Sequence, residues 1–382
     1  MPKTNGARAN AHTVIDADGH VLERMAVDYK AAFPERLKHL APYTTKEEYW
    51  GVRRIVVEGQ MLPRAFGPAP GHQGVLRTGP WAKKVMQKHP IDGMWDPHKR
   101  IPDMDLDGID IAVCFGGVVG MHTAGFENAE LAEAASQVYN NWLHDYCSPY
   151  PDRIKGAASI PHQDPDRAVK EIHRSVTELD LAGPVFPTNV RGKNLDDPLF
   201  FPAYAECQSL NVPALVHGGT GLVGIDAAGA DRFSNYFHTH VFSHAFEQII
   251  SLTAVVAGGI LDKYPKLRFA FLESGSGWLP YWLDRLDEHY EMLGFLTPMR
   301  QKASDYVCKT GRVFVACEAE EEILDRVVDE VGEDVIVYAS DYLHFDAKFP
   351  GTVAALKNRK DLSASAKRNI LGENAKRLYN FK

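Results

Sequence analysis

The sequence predicts an α/β fold, a (β/α)8 TIM barrel with a long insertion after the first strand. Strand-like and helix-like segments alternate about eight times along the 382 residues. The strand-like segments are nearly continuous in apolar residues, as expected of parallel strands buried on both faces. Several of them also end in a carboxylate or imidazole side chain. This number of repeats fits a closed barrel better than an open sheet.

The predicted strands are short apolar runs, many of them rich in β-branched and aromatic residues. The first begins at Val14 and leads directly into acidic and imidazole residues. The fourth is the weakest, because it contains Pro184 and Pro187, but proline is tolerated at strand ends. From the second to the eighth, the predicted strands cover residues 111–115, 154–160, 183–187, 212–217, 267–273, 313–316 and 335–341.

Helices are predicted between the strands from apolar residues at helical spacing and from capping signals. Pro97 stands at the first position of one helix, and Asp164 is the expected N-cap of another. The predicted helices cover residues 96–107, 128–147, 164–179, 202–210, 239–261, 278–293, 320–331 and 353–379.

The predicted domain organisation is a loose N-terminal tail at residues 1–12 followed by a single barrel domain at residues 13–382. Residues 23–95 form the inserted segment. Their irregular mixture of proline, glycine, charged and aromatic residues is typical of a functional insertion or lid. We expect this segment to cover the functional site.

The composition excludes some classes of partner. A net charge of −8 without a dense basic stretch gives no reason to expect binding to nucleic acid or to an anionic membrane. The five cysteines are scattered and contain no CxxC pair, which indicates reduced thiols. Residues 1–12 lack the apolar core of a signal peptide, and no later run is long enough to cross a bilayer. We therefore expect a cytoplasmic protein.

Side chains suited to metal binding end four of the predicted strands. Asp18 and His20 are two residues apart on the first strand, so their side chains point to the same side. His217, Glu273 and Asp341 end the fifth, sixth and eighth strands. In a barrel these ends open on one face and surround one point. Each residue alone could be structural, as a loop cap or an ordinary hydrogen-bond partner, but the coincidence of four strand ends favours a metal site.

Five short motifs accompany these strand ends: Ile-Asp-Ala-Asp-Gly-His at 15–20, Asp-Met-Asp-Leu-Asp-Gly-Ile-Asp at 103–110, Val-His-Gly-Gly at 216–219, Phe-Leu-Glu-Ser-Gly-Ser-Gly-Trp-Leu-Pro at 271–280 and Ala-Ser-Asp-Tyr-Leu-His-Phe-Asp at 339–346. Together they resemble the amidohydrolase superfamily. Within it the chain is similar to the branch of aminocarboxymuconate semialdehyde decarboxylase and the resorcylate and carboxyvanillate decarboxylases. The resemblance covers nearly the whole chain from Val14 onward, and each motif alone would be weak.

The resemblance implies a divalent metal held by a first-strand pair, a fifth-strand histidine and an eighth-strand aspartate. Many family members have histidine at the first position of the pair, where this chain has aspartate, and at the end of the sixth strand, where it has Glu273. Residues 187–189 after the fourth strand include no lysine or glutamate, which disfavours a binuclear site built on a carbamylated lysine. The implied ligands here are Asp18, His20, His217 and Asp341.

These departures enrich the site in oxygen ligands. Mixed carboxylate and imidazole ligation suits zinc, manganese or iron, with one ion or two per chain. Two ions would use Glu273 as a bridge and His238, His240 and His244 as further nitrogen ligands. Alternatively, His238 and His240 are loop residues, and His244 is a helix residue bonded to a carboxylate.

The predicted protein is a metal-dependent enzyme that acts on a small organic substrate by decarboxylation or hydrolysis, and we expect it to form a homo- or hetero-oligomer. In either reaction Glu273 or His344 would move the proton beside the metal. Two alternatives stay open: a binuclear iron or manganese oxygenase, and a catalytically weak subunit that supports a partner chain. Asp16 is expected either to orient a ligand histidine or to face the site itself.

Overall fold

Eight parallel strands form one continuous sheet in which neighbours in sequence are neighbours in space. The structure is a computed structural model that describes residues 12–23, 30–46, 53–62, 90–117, 119–218, 227–229, 232–233, 236–344 and 347–382. The strands are β1 Ile15–Val21, β2 Ile111–Gly116, β3 Ile154–Ala158, β4 Gly183–Pro187, β5 Ala214–His217, β6 Phe269–Leu272, β7 Val313–Cys317 and β8 Ile336–Tyr338.

The sheet closes on itself where the chain beyond β8 meets β1. The amide of Asp341 donates to the Asp18 carbonyl oxygen at 3.0 Å, and the amide of His20 donates to the Tyr342 carbonyl oxygen at 2.6 Å. These two hydrogen bonds join the first and last strands in the way that a ladder joins the others. The predicted (β/α)8 TIM barrel is therefore confirmed, and three of the expected ligand residues, Asp18, His20 and Asp341, lie on the seam itself.

Alternation along the strands separates the barrel interior from the layer under the helices. Ile15, Phe115, Leu215 and Phe314 are among the fully buried residues that fill the interior. Tyr379 near the C-terminus packs against the same interior cluster, and its hydroxyl donates to the Ala17 carbonyl oxygen at 2.8 Å. The interior is thus a packed core, which leaves the C-terminal mouth as the open end.

Helices surround the strands largely where helical spacing predicted them. Asp164 accepts hydrogen bonds from the amides of Asp166 and Arg167, as expected of an N-cap. The helices are α1 Pro97–Asp107, α2 Ala129–Cys147, α3 Pro165–Thr177, α4 Phe201–Ser209, α5 Tyr236–Ala257, α6 Ile260–Lys263, α7 Leu279–Leu293, α8 Ala303–Lys309, α9 Leu324–Val331, α10 Thr352–Lys357, α11 Ala364–Arg368 and α12 Asn374–Tyr379, with a π-helical turn Asn369–Glu373 and 3-10 turns Glu35–Leu37, Asp92–Met94, Thr123–Gly125, Pro198–Phe200 and Gly294–Leu296.

Four helical features differ from the expectation. The helix expected at 353–379 is interrupted by residues 358–363, which separate α10 from α11. The helix expected at 239–261 starts at Tyr236 and is divided after Ala257, because Gly259 adopts a left-handed φ of 70°. The helix expected from residue 320 begins only at Leu324. The short helix α8 was not predicted, since its seven residues carry too few apolar positions to show a period.

Part of the insertion that was expected to be irregular forms an antiparallel sheet. Its three strands are Tyr43–Lys46, Arg53–Val57 and Gln60–Leu62. The last two are joined by Glu58 and Gly59, whose φ angles of 50° and 77° are those of a tight hairpin turn. The run of β-branched residues before this Glu-Gly pair is the sequence pattern that could have predicted the hairpin. A two-stranded hairpin, Asn189–Val190 with Lys193–Asn194, follows β4.

Several domain expectations lie partly outside the described residues. These include most of the expected tail, at residues 1–11, and residues 24–29, 47–52 and 63–89 of the insertion. No described residue of the insertion lines the cavity at the mouth, and its covering role stays a prediction. Of the helices that the structure describes, none has the length and apolar character required to span a bilayer. All five cysteines are free thiols.

Candidate metal centre

A bulge in β1 decides which of its acidic residues reach the mouth. Asp16 pairs with Ala112 of β2, whereas Gly19 pairs with Cys114, so β1 contains one extra residue over this span. The bulge breaks the alternation that would have put Asp16 on the same side as Asp18. Gly19 is required here, because a Cβ atom would lie 2.6 Å from the guanidinium of Arg100.

The other candidate ligands lie just after strands. His217 is the last residue of β5. Glu273 and Asp341 follow β6 and β8, and both have a left-handed backbone, with φ angles of 58° and 49°. Such a conformation costs about 1–3 kcal/mol for a residue with a side chain and is concentrated at functional sites. Two carboxylates are therefore turned into the mouth at an energetic cost to the fold.

The candidate ligand atoms form two overlapping clusters. Asp18, His20 and His217 each offer an atom within 4.8 Å of the others, and so do His20, Glu273 and Asp341. His20 Nε2 lies 3.2 Å from Asp341 Oδ1, and His217 Nε2 lies 3.4 Å from Asp18 Oδ1. All five strand-end residues expected from the sequence thus lie together.

The donor atoms fit a divalent cation. Asp18 Oδ1, His20 Nε2 and His217 Nε2 are buried, and none of them has a hydrogen-bond partner among the described residues. Leaving buried polar atoms unpaired costs about 1–3 kcal/mol each. A carboxylate oxygen and two imidazole nitrogens aimed at one point are ligands that zinc, manganese and iron accept. An ion at this point would satisfy all three atoms.

The tautomer of His217 is fixed by its surroundings. Its Nδ1 atom lies 2.7 Å from the Gly218 carbonyl oxygen and 3.0 Å from Glu273 Oε2, and both of these atoms are acceptors. In the neutral ring the proton therefore belongs on Nδ1, and the lone pair of Nε2 faces Asp18. This is the arrangement in which a histidine binds a metal while a partner orients its other nitrogen.

Burial and neighbouring charges together shift the pKa values of this site. Burial alone lowers the pKa of His217, but the carboxylates of Asp18 and Glu273 outweigh it and raise the value to about 9. Burial raises the pKa of Glu273 to about 7, against the opposing charge of His217. Burial lowers the pKa of His20. A cation at the mouth would take the place of the proton that His217 otherwise holds.

Three further histidines surround the first set, and we call them the outer histidines: His240, His244 and His344. His344 Nδ1 lies 3.5 Å from Asp341 Oδ2, and His244 Nε2 lies 3.8 Å from Glu273 Oε1. The rings of His240 and His244 are 4.5 Å apart. Burial lowers the pKa of His244 to about 3, so its ring is neutral near pH 7. His238, by contrast, is exposed.

The site opens into a cavity of about 240 Å³. Asp18, Glu273 and Asp341 lie in its lining together with His240 and His244. Its outer part is formed by the chain after β7 and by the segment that precedes α10. The cavity is thus large enough for a small organic molecule, and the candidate metal ligands form part of its wall.

Comparison with known proteins identifies the family of the chain. A family model described as amidohydrolase matches residues 15–381. The chain belongs to the amidohydrolase family. A curated family relative, 2-amino-3-carboxymuconate-6-semialdehyde decarboxylase of Dictyostelium discoideum, is 27% identical over 74% of this chain and 76% of its own. The predicted resemblance to this family is therefore confirmed.

Solved structures share the fold at low sequence identity. One is 5-carboxyvanillate decarboxylase from Novosphingobium aromaticivorans with manganese and 4-hydroxy-3-methoxy-5-nitrobenzoic acid, with a TM-score of 0.69 and 22% identity over 97% of this chain and 96% of that one. Another is dihydroxybenzoic acid decarboxylase from Polaromonas with manganese and 2-nitroresorcinol, with a TM-score of 0.66 and 18% identity over 97% of both chains.

Asp16 has neither of the two roles that were expected from the sequence. It accepts hydrogen bonds from the amide and hydroxyl of Ser340, at 2.8 and 2.5 Å, and from the amide of Asp18 at 3.3 Å. It therefore orients no histidine and does not join the site, because the bulge turns it away. Instead it ties the segment after β8 to β1.

Arg100 was missed by sequence reasoning. Its guanidinium donates to the His20 carbonyl oxygen at 2.7 Å and lies 3.9 Å above the ring of Tyr342. It thus connects α1 to both sides of the seam. The signal was a helix whose buried stripe is mostly charged: Arg100, Asp103, Met104 and Asp107. Charged residues at i, i+3 and i+7 on a buried face indicate a polar network rather than a core.

Proposed function

We propose that this chain is a metal-dependent decarboxylase that acts on a small carboxylated organic molecule. The observation that carries the proposal is the convergence of buried ligand atoms at the mouth, three of which have no hydrogen-bond partner among the described residues. Curated relatives that are decarboxylases support the type of reaction. The proposed ligands of one divalent ion are Asp18, His20, His217 and Asp341.

The charges of the proposed ligands match the charge of one divalent ion. Asp18 and Asp341 contribute two negative charges, and neutral His20 and His217 add none, so the four residues offset the charge of one divalent ion. A bound ion would hold the carboxylate and an adjacent oxygen of the substrate and withdraw electrons from them. Manganese is the proposed metal, supported by its presence in related decarboxylase structures, with zinc and iron as alternatives.

Glu273 and His344 are the proposed proton carriers. In decarboxylation the bond between the substrate carbon and its carboxylate breaks, carbon dioxide leaves, and the same carbon takes up one proton. Both side chains flank the proposed ligands, since Glu273 lies beside His217 and His344 beside Asp341. Burial brings the pKa of Glu273 to about 7, which suits a group that gives up a proton near neutral pH.

A second candidate is a binuclear iron or manganese oxygenase. The observation that favours it is the orientation of two carboxylates. Asp341 and Glu273 each turn one oxygen towards an inner histidine, His20 or His217, and the other oxygen towards an outer histidine. Carboxylates placed in this way can bridge two ions, and the outer histidines would supply nitrogen ligands to the second ion.

Metal content and gas exchange separate the two candidates. The purified protein is analysed for metal by plasma mass spectrometry, and the manganese-loaded protein is then assayed for carbon dioxide release from a panel of aromatic and unsaturated carboxylates. The panel includes gamma-resorcylate and 5-carboxyvanillate. The decarboxylase proposal expects about one ion per chain and carbon dioxide release without dioxygen. About two ions per chain with substrate-dependent dioxygen uptake would replace it with the second candidate.

The cellular location and the class of substrate are also proposals. We propose that the protein acts in the cytoplasm, supported by its five free thiols, and that its substrate is a small molecule, supported by the size of the cavity. Full metal loading with no turnover of any panel member and no dioxygen uptake would instead support the interpretation as a catalytically weak subunit.

A further inference from the structure

The bulge in β1 is contacted by a side chain from α12. Ala17 and Asp18 together lie opposite Val113 of β2, so the regular ladder between the two strands is interrupted at this point. Ala17 is fully buried, and its carbonyl oxygen accepts a hydrogen bond from the hydroxyl of Tyr379 at 2.8 Å. A buried carbonyl group needs such a partner, and here a side chain of another element supplies one.

Two side chains hold the peptide group that joins Ala17 to Asp18. Its carbonyl oxygen accepts a hydrogen bond from Tyr379, and its amide donates to Asp16 Oδ1 at 3.3 Å. A peptide group is planar, so hydrogen bonds on both of its sides fix its rotation. A rotation of this peptide would change the φ angle of Asp18 and move its side chain. The carboxylate of Asp18 is buried, and its Oδ1 atom lies 3.4 Å from His217 Nε2.

Tyr379 is itself held in place by its neighbours. Its side chain is buried and packs in the barrel interior, where the ring of Phe381 stacks on it with the ring centres 5.2 Å apart. Arg268 Nε donates a hydrogen bond to the carbonyl oxygen of the preceding residue, Leu378, at 2.8 Å. Arg268 directly precedes β6, so this anchor lies at the N-terminal end of the strands. The hydroxyl therefore reaches the bulge from the end of the barrel opposite to the mouth.

We propose that Tyr379 is a positioning residue of the metal centre, whose hydroxyl holds the peptide between Ala17 and Asp18 and thereby aims the Asp18 carboxylate at the ion. The inference rests on the proposed function, because it takes Asp18 to be a metal ligand. The hydroxyl acts through the backbone, since its hydrogen bond goes to a carbonyl oxygen and not to a ligand atom. Burial raises the pKa of Tyr379, and the carboxylates of Asp18 and Asp16 add to this effect, so the hydroxyl keeps its proton and donates near neutral pH.

A purely structural hydrogen bond and a positioning one have different consequences when they are removed. Loss of a structural hydrogen bond lowers the stability of the fold and leaves the affinity for the ion unchanged. Loss of the positioning hydrogen bond frees the peptide and lowers the affinity, as removal of other residues that orient metal ligands does, by about 10- to 100-fold. Metal affinity, measured separately from stability, therefore distinguishes the two roles.

Tyr379→Phe tests the proposal, because it removes the hydroxyl and keeps the ring with its packing. Manganese is titrated into the metal-free full chain, and its dissociation constant is measured by isothermal titration calorimetry. The constant is expected to rise at least about tenfold in the variant. The electron paramagnetic resonance spectrum of the bound manganese, which reports the arrangement of its ligands, is expected to differ from that of the wild type.

The matched control is Tyr204→Phe. The hydroxyl of Tyr204 donates to the Leu195 carbonyl oxygen, also at 2.8 Å, and the side chain is likewise buried. Tyr204 belongs to the apolar cluster under the helices and not to the barrel interior. Both variants lose one buried hydrogen bond from a phenol to a backbone carbonyl, so urea denaturation without metal is expected to show similar losses of stability. The control is expected to bind manganese within about twofold of the wild-type affinity.

Asp18→Asn distinguishes a failure of this inference from a failure of the proposed function, and it is expected to weaken manganese binding at least about tenfold. If Asp18→Asn binds manganese as tightly as the wild type, the proposed metal site and this inference both fail. If it loses the ion while Tyr379→Phe binds like the wild type, only the positioning role is overturned. Equal weakening by Tyr204→Phe would also overturn that role, as would a Tyr379→Phe variant that circular dichroism shows to be unfolded, since the hydroxyl would then serve the fold.

Discussion

At the scale of single residues, the atoms proposed to bind the ion are not the atoms that hold the barrel together. His217 ends a strand whose other residues are apolar and buried, and its Nε2 atom has no hydrogen-bond partner in the described part of the chain. Asp341 is joined to β1 through its backbone amide, which survives a change of side chain. Substitution of the side chain of His217 or Asp341 should therefore reduce metal binding without unfolding the protein.

His217→Ala and Asp341→Ala are predicted to lose the metal while the barrel stays folded. Each removes one ligand, and we expect bound manganese to fall at least about tenfold, with circular dichroism close to that of the wild type. His173→Ala is the matched control, because His173 is a surface residue paired with Glu206 far from the mouth. Full metal occupancy in both ligand variants would show that the assignment is wrong.

Arg100→Met is predicted to weaken metal binding although Arg100 touches no ligand atom. The substitution removes the hydrogen bond to the His20 carbonyl oxygen and frees the backbone that presents the imidazole. A loss of about 10- to 100-fold in manganese affinity is expected, in line with other residues that orient ligands. Arg100→Lys should retain part of the affinity. Unchanged titration curves for Arg100→Met would contradict the positioning role.

At the scale of elements, the sequence predicted strands and strand ends better than local irregularities. Apolar runs identified all eight strands because both faces of a parallel sheet are buried. The left-handed backbones of Glu273 and Asp341 depend on tertiary contacts, and so does the bulge that separates Asp16 from Asp18. The side of a strand on which a side chain lies is inferred from regular alternation, which does not reveal an inserted residue. The role of Asp16 could therefore not be predicted from the sequence.

The segment after β3 contains a buried histidine that should make stability depend on pH. His162 Nε2 lies 3.0 Å from the Val185 carbonyl oxygen, and burial lowers the pKa of its ring to about 4. The unfolded chain takes up this proton near pH 6.5, whereas the folded protein resists it until about pH 4. Stability is therefore fully present above pH 6.5 and is lost as pH falls towards 4.

His162→Gln should reduce this dependence, because glutamine can donate a hydrogen bond and does not titrate. Between pH 7 and pH 5 the wild type is predicted to lose about 2 kcal/mol more of its free energy of unfolding than the variant. Urea denaturation at the two pH values measures the difference. Parallel losses in both proteins would show that His162 is not buried in its neutral form.

At the scale of the whole molecule, the barrel should stay folded when no metal ion is bound. The interior is filled by apolar side chains from all eight strands, and the ligand atoms lie only at the mouth. Chelation is therefore expected to leave the secondary structure unchanged. Manganese at about 1,000 times its dissociation constant should add about 4 kcal/mol of stability, which raises the Tm of a chain of this size by several degrees.

His217→Ala provides the control for this thermal shift, because a protein that lacks a ligand should gain little stability from the same manganese concentration. An equal rise of Tm in the wild type and in His217→Ala would mean that the ion acts at another place. Collapse of the secondary structure on chelation would mean that the ion is part of the core.

The most direct measurement is the anomalous scattering of manganese in crystals of the metal-loaded protein. The predicted result is one strong anomalous peak per chain at the mouth of the barrel, about 2.0–2.3 Å from ligand atoms of Asp18, His20, His217 and Asp341. A peak bound by other residues, or no peak at the mouth in crystals that contain the metal, would contradict the proposal that these four strand-end side chains hold the ion.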